Sequence, residues 1–382
     1  MSGLRIGLVC PYSFDSHGGV QNQVLGFARY LAANDHHPHV LAPGALPVDG
    51  VARPAEISSA GGAIPVPYNG SVARINFGPV SAARVRRWLR SNNLDLLHVH
   101  EPITPSISLL ALWAADVPVV ATFHTATPRS RSMRLAGDRL RRTVAKIDIG
   151  IAVSESAREV VRKHLGRDPV VIPNGFRSAE FLSPGARAGR RGAGRWRAGD
   201  RPRLTFLGRG REPRKGLAVL IEALPAIRAS YRDLEVVMAG DGSRLSVPGG
   251  RALGPIDDRA KAELLAATDV FVAPQLGRES FGLVVLEAMA SGASVVASDL
   301  PAFVDLLHPD RTGPRLGEIF ARGDPRALAA AVVRALRAPD PLRTERARAA
   351  AQRYDWSQVG PAILDAYELA RAGEPLALKA IR

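Results

Sequence analysis

Cysteine is nearly absent from this chain: Cys10 stands alone among 382 residues. No internal disulfide can form, and a reducing compartment is the expectation. No run approaches the ~18 consecutive apolar residues that span a bilayer. The richest stretch, Ile107 to Ala115, is too short and stops at Asp116. The opening residues lack the long apolar core and cleavage site of a secretory leader and read as a first strand, which predicts a cytoplasmic protein. No Asp-x-Asp triplet occurs, and neither His98 nor His100 has Cys or carboxylate neighbours at metal-ligand spacing. A metal-bridged diphosphate is therefore not expected, and arginine or lysine must supply positive charge. Lysine itself is scarce, five of 51 basic residues, so arginine carries the net charge of +15. Dispersed arginine on a solvated surface accounts for such a balance, and so does attraction to a nucleotide, nucleic acid or acidic lipid. Aromatics are only 5% and no helix-turn-helix, zinc or RNA-recognition signature occurs, which argues against nucleic acid as partner.

What is present is the material of two globular domains: 46% hydrophobic and 23% charged residues in a chain long enough for two cores. Short apolar runs alternate with amphipathic segments. In the first half the expected strands are Leu4–Cys10, His39–Ala42, Leu94–His98, Val117–Thr122, Ile147–Val153 and Pro169–Ile172, with a helix over Gln21–Ala33. In the second half they are Arg203–Leu207, Glu235–Ala239, Asp269–Ala273 and Ser294–Ala297, with helices over Leu217–Ala229, Asp258–Ala267 and Phe281–Ser291. The pattern predicts an α/β protein of two doubly wound parallel-sheet domains. The boundaries are 1–176 with a closing C-terminal helix in 355–382 that returns to the first domain, and 177–354 for the second. The Gly, Ala and Arg of 183–203 read as a flexible surface segment. Open parallel sheets bind ligands beyond the carboxyl ends of their strands, so a site in a cleft between the domains is expected.

The most informative segment is Arg278-Glu279-Ser280-Phe281-Gly282-Leu283-Val284-Val285-Leu286-Glu287. It follows a buried-strand pattern and enters a helix, so Glu279 and Glu287, eight positions apart, are expected on one side of it. Backbone N–H groups at Ser280, Phe281 and Gly282 would suit a phosphate or polyhydroxyl ligand. Two acids beside such a helix start suggest a sugar nucleotide. In the turn after Leu204–Leu207, Arg209 and Lys215 could both reach one diphosphate. Gly18-Gly19 opens a helix after the first strand, a place for phosphate or merely a tight turn, and Tyr12, Asp15 and Gln21 share that loop. His124 ends a strand and could meet substrate, whereas His98 and His100 are expected at opposite edges of theirs. Cys10 is expected buried and unreactive. In Arg84-Val85-Arg86-Arg87-Trp88-Leu89-Arg90, Val85, Trp88 and Leu89 share one helical face. That face either meets the core or lies on an anionic membrane with Trp88 at the interface.

Together these segments resemble a retaining glycosyltransferase of the GT-B type, two Rossmann-like domains. More narrowly they are similar to the bacterial phosphatidyl-myo-inositol mannosyltransferases. The similarity runs through Cys10–Asp15, Gly18–Gln21, Pro67–Arg74, Leu97–Pro102, Ala121–Thr125, Ile172–Gly175, Glu212–Gly216, Glu279–Gly282, Val295–Leu300 and Arg353–Val359. The glutamate pair marks the superfamily, and Pro11–Asp15 with Tyr68–Arg74 the narrower group. The resemblance implies transfer of mannose from GDP-mannose, a donor substrate rather than a bound cofactor, to the inositol of phosphatidylinositol. It implies that Gly19 donates its N–H to the diphosphate, that Arg209 and Lys215 neutralise it, that Glu287 holds the ribose and Glu279 the mannose, and that His124 touches mannose near the reacting carbon. It implies an acceptor pocket of Tyr12, Asp15, Gln21, Asn69, Ser71, Arg74 and Arg214. It also implies a membrane-contacting helix with Arg84, Arg86, Arg87, Trp88 and Arg90, hence a peripheral place on the inner face of the cell membrane. The chain departs from the family pattern at Gly210-Arg211, where Tyr-Asp is usual, at Arg278, where glycine is usual, and in a short stretch from Ala239 to Asp257.

Two other readings stay open at this level. One is a GT-B enzyme with a different nucleotide sugar, such as UDP-GlcNAc with inositol phosphate as acceptor. The other is a polyanion-binding protein, suggested by the high isoelectric point, about 10.9.

Overall fold

The computed structural model describes residues 3–15, 18–45, 56–68, 71–125, 137–182, 201–240 and 247–373, without the side chains of 67, 68, 71 and 137–140. The chain divides into two compact units, Met1–Phe176 with Trp356–Arg382, and Arg177–Asp355. Residues 183–200 of the expected surface segment lie outside the described residues, while Arg203 is 2% exposed within a strand.

Unit 1 contains β1 (Arg5–Val9), β2 (His37–Ala42), β3 (Glu56–Ser59), β4 (Ile64–Tyr68), β5 (Ser71–Ile75), β6 (Leu96–His100), β7 (Val119–Phe123), β8 (Ile149–Ala152) and β9 (Val170–Val171). Seven of these form one parallel sheet in the order β3-β2-β1-β6-β7-β8-β9, and β4 pairs with β5 as an antiparallel hairpin. Because parallel strands are covered on both faces, they read as unbroken apolar runs rather than alternating ones. On one face, Val24, Phe27, Ala28 and Leu31 of helix Gly19–Ala33 join Val359, Ile363, Ala366 and Tyr367 of helix Trp356–Ala372 in a single core cluster. On the other, Val85, Trp88 and Leu89 of helix Pro79–Ser91 pack with Leu97, Val99 and Ile107.

Unit 2 contains β10 (Arg203–Leu207), β11 (Glu235–Ala239), β12 (Gly250–Ala252), β13 (Val270–Ala273), β14 (Ser294–Ser298) and β15 (Glu318–Phe320). They form a six-stranded parallel sheet in the order β12-β11-β10-β13-β14-β15. Two doubly wound parallel sheets, with the C-terminal helix packed into unit 1, are the architecture expected from the sequence. Among the described residues no helix is long and apolar enough to cross a membrane.

Cys10, one residue past β1, is fully buried, and burial pushes its thiol up to about 12. At pH 8 roughly one thiol in ten thousand is then ionised. Iodoacetamide should leave the folded protein unmodified and label it only in denaturant; mass spectrometry of the Cys10 peptide checks this.

Candidate functional site

In each sheet the strand order reverses once, the point beyond the strands' carboxyl ends at which open parallel sheets generally bind ligands. In unit 2 the reversal lies between β10 and β13. The loop after β10 carries Arg209, Glu212, Arg214 and Lys215, and the loop after β13 carries Arg278 and Glu279. They touch: the Leu276 N–H donates to the Arg214 carbonyl at 2.8 Å. Gly216 makes that approach possible. Its φ is 73°, and a Cβ there would lie 1.8 Å from the Pro274 carbonyl oxygen. Across this contact Lys215 Nζ donates to Glu279 Oε2 at 3.0 Å, with both side chains under one-fifth exposed. Glu212 meets two arginines, Arg209 at 3.1 Å and Arg214 at 2.6 Å. The sequence-predicted cations and first acid therefore share one cluster.

Glu287 comes under a different lysine. Its Oε1 accepts from Lys261 Nζ at 2.7 Å, while its buried Oε2 has no hydrogen-bond partner. Burial raises the Glu287 carboxyl pKa above the ordinary range, and Lys261 offsets this only in part. Burial also works against the Lys261 charge, but Glu287 and Asp258 outweigh it and hold the ammonium firmly protonated. Sequence reasoning missed Lys261; the available signal was a lysine in a chain nearly devoid of them, on the helix preceding β13. The expectation of an eight-residue helical repeat between Glu279 and Glu287 needs correction. Glu279 lies in the entry loop as expected, but the helix is Leu283–Ser291 and starts two residues later than Phe281, so eight residues of helix do not separate the two acids. The helix start has Gly282 as its cap at φ 97° and no side-chain cap bond. Just before it, Phe281 is 7% exposed and packs edge-on to Tyr354, and Ser280 is half-buried. Arg278 has φ 56°, the left-handed region in which glycine is easiest.

In unit 1 the reversal lies between β1 and β6. The loop after β1 is tied to the β4–β5 hairpin, since the Ser13 N–H donates to the Arg74 carbonyl at 2.9 Å. Gln21 Nε2 donates to the Ser13 carbonyl at 3.1 Å, and Asp15 Oδ1 accepts from the Ala45 N–H at 3.1 Å. Tyr12 is half-buried in the same loop, and a Cβ at Gly19 would meet nothing within 4 Å. The structure thus gathers Tyr12, Asp15, Gln21 and Arg74. Asn69, and the side chain of Ser71, lie outside the described residues.

His98 and His100 do not point to opposite edges. Alternate residues of a strand share a face, and β6 runs to His100 rather than stopping at His98. Their rings stack at 4.4 Å, and the His100 ring stacks on His124 at 5.2 Å. His100 Nδ1 and His124 Nε2 lie 2.9 Å apart, and His98 bonds to the Tyr367 hydroxyl and the Thr122 hydroxyl, each at 2.7 Å. Burial lowers both His98 and His124 to about 3, so these imidazoles are neutral at physiological pH. Glu101, immediately after β6, was also missed. It is 3% exposed at φ 50°, and its Oε1 accepts from the His124 N–H at 2.7 Å and the Thr125 hydroxyl at 2.9 Å. Burial raises its carboxyl to about 7, against the pull of those donors.

Helix Pro79–Ser91 displays Arg84, Arg86, Arg87 and Arg90 as exposed side chains. Trp88 is the correction here: at 6% exposure it is part of the core, where its ring would lie 3.0 Å from a Cβ at Gly7. The apolar face of this helix is used up by the sheet. Among the described residues of unit 1 the exposed large apolar side chains are instead Ile64, Val72, Phe77, Val80 and Trp113, and the Phe77 and Trp113 rings meet edge to face at 6.2 Å. Among the described residues no three His, Cys, Asp or Glu side chains are grouped so as to hold a metal ion.

Residues 17–180 match the family Glycosyltransferase Family 4, and residues 201–338 match Glycosyl transferases group 1. A phosphatidyl-myo-inositol mannosyltransferase of Propionibacterium freudenreichii subsp. shermanii is 49% identical over 371 residues, covering 96% of this chain and 95% of that protein. A protein of the same name from Mycolicibacterium smegmatis is 44% identical over 376 residues, covering 96% and 94%. Among solved structures, a glycosyltransferase from Rickettsia africae superposes with a TM-score of 0.74 at 18% identity, over 97% of this chain and 99% of that one, a likeness of fold.

Two substitutions test the geometry. Gly216→Ala adds left-handed strain and a clash with the Pro274 carbonyl, and should lower unfolding free energy by about 2–4 kcal/mol in urea titrations. Lys261→Met leaves a buried carboxylate unpaired and should cost about 3–5 kcal/mol at pH 8. That loss should shrink towards pH 5 as Glu287 takes up a proton, because a carboxyl whose folded pKa is raised loses stability as pH rises through it.

Proposed function

The chain belongs to the phosphatidyl-myo-inositol mannosyltransferase family, and from that premise we propose that it transfers mannose from GDP-mannose to the inositol of phosphatidylinositol, with retention of configuration. The observation that carries the reading is the Lys215–Glu279 pair, 3.0 Å apart where the unit 2 strand order reverses. A cation and a carboxylate in one crevice serve opposite ends of a sugar nucleotide.

On this reading the donor diphosphate displaces Glu279 from Lys215. Lys215 and Arg209 then neutralise the departing GDP, each charge-assisted bond contributing roughly 1.5–3 kcal/mol. The freed Glu279 carboxylate accepts from mannose hydroxyls, and the unpartnered Glu287 Oε2 accepts from a ribose hydroxyl. The uncapped helix start at Gly282 adds N–H donors to the phosphate. Tyr12, Asp15, Gln21 and Arg74, with Asn69 and Ser71, receive inositol phosphate. The His124 ring, neutral at pH 7 with a pKa of about 3, lies against the sugar near the reacting carbon as a neutral surface and not as an acid. With the departing charge met by side-chain cations, an oxocarbenium-like transfer on one face of the sugar follows, and no step calls on a divalent ion.

The acceptor is a lipid, so the protein works at a membrane surface. The exposed arginines at 84, 86, 87 and 90 supply ~1 kcal/mol each near an acidic leaflet, roughly a thousandfold in partitioning together. Phe77 and Trp113, rather than Trp88, supply the apolar contact. Such binding is reversible and peripheral, on the cytoplasmic leaflet.

Radiolabelled GDP-mannose with phosphatidylinositol vesicles should give a labelled lipid, undiminished in EDTA. Lys215→Ala should lower kcat/KM by about a hundredfold or more. A lipid product made only from another nucleotide sugar would reassign the donor, and no lipid product at all would sink the reading. In vesicle sedimentation, Arg86→Glu with Arg90→Glu, or Trp113→Ala, should release the protein from anionic vesicles. Trp88→Ala should instead lower the melting temperature; retained stability with lost membrane binding would reverse that assignment.

A further inference from the structure

Glu101 is a buried acid for which transfer chemistry has no evident need, held in a backbone conformation that costs free energy. Its φ of 50° places a non-glycine residue in the left-handed region, a strain of about 1–2 kcal/mol that surrounding contacts must hold. Those contacts are specific. The Glu101 N–H donates to the Thr122 carbonyl at 2.9 Å and its carbonyl accepts from the Thr104 N–H at 3.1 Å, so the strained residue is pinned on both sides. The side chain is thereby aimed at the end of the neighbouring strand, where Oε1 accepts from the His124 N–H at 2.7 Å and the Thr125 hydroxyl at 2.9 Å.

His124 is consequently fixed twice over. Its ring is held by stacking on His100 and by the 2.9 Å contact between their nitrogens. Its main chain is held by Glu101. A ring restrained only at its tip would still pivot if the turn after β7 moved, and a displacement on the order of 1 Å at a reacting centre can cost about a hundredfold in rate. We propose that Glu101 is a positioning residue for glycosyl transfer, clamping the His124–Thr125 turn so that His124 meets the sugar in one orientation. The inference rests on the reading above that His124 touches the substrate.

The test separates positioning from stability by using the strain itself. Glu101→Gly relieves the left-handed backbone and removes the carboxylate, whereas Glu101→Gln keeps an acceptor oxygen for the turn. Kinetics with GDP-mannose and phosphatidylinositol vesicles, and melting temperature, are measured for both, together with Thr125→Val and His124→Ala. Glu101→Gly should lower kcat by about 10- to 100-fold with KM for both substrates within about twofold and a melting temperature within about 3 °C of the parent. Glu101→Gln should restore most of the rate, and Thr125→Val should lose part of it. Unchanged kcat in Glu101→Gly beside a crippled His124→Ala would overturn the clamp alone. Full activity in His124→Ala would remove the substrate-contact reading and the clamp with it. Should Glu101→Gly fail to fold, an unchanged kcat in a folded Thr125→Val together with an unrescued Glu101→Gln would equally overturn it.

Discussion

The charged cluster of unit 2 depends on one close approach, that of Gly216 to the Pro274 carbonyl. A side chain at 216 would collide with that oxygen, and the loops leaving β10 and β13 would be pushed apart. Lys215 and Glu279, on opposite sides of the contact, would then no longer reach each other. The charges that define the site are thus spaced by a steric condition on the backbone, and the salt bridge follows from it. A partly buried pair of this kind is a modest source of stability. Its value lies in geometry, because each side chain holds the other in place across the contact between the two loops.

Much of this was legible in the chain. Unbroken apolar runs marked the parallel strands, since both faces of β10 and β13 are covered. Charges immediately beyond those runs marked the strand ends where ligands bind. The hairpin β4–β5 was not legible, because Pro65 and Pro67 mask its strand signal and the pair lies apart from the main sheet. The three-residue strands β12 and β15 are too short for any periodicity to show. Trp88 was ambiguous for a physical reason: an amphipathic helix on a sheet and one on a bilayer carry the same pattern, and only tertiary packing distinguishes them. The histidine stack was missed through strand phase. A boundary placed two residues early hid that His98 and His100 lie on one face and that Glu101 begins the following turn.

The two units solve the same electrostatic problem differently. In unit 2, cations and acids pair in partly buried positions: Arg209, Glu212, Arg214, Lys215 and Glu279. In unit 1 the stacked imidazoles are deeply buried and neutral, with His98, His100 and His124 all shifted down by burial. Charged and solvated groups suit a diphosphate that arrives and leaves. Neutral, stacked and hydrogen-bonded groups suit a surface that must hold its shape while a charge develops nearby.

The division of the chain has a consequence for its biosynthesis. Helix Trp356–Ala372 completes the core of unit 1, where Tyr367 hydroxyl meets His98 from 269 positions away in sequence. Everything between Arg177 and Asp355 belongs to the other unit. During translation the second unit can therefore close first, while one face of the sheet begun at Arg5 waits with helix Gly19–Ala33 but without helix Trp356–Ala372, which emerges later. The domain started earliest is finished last, and that interval is when the nascent protein is most exposed to aggregation and most dependent on chaperones.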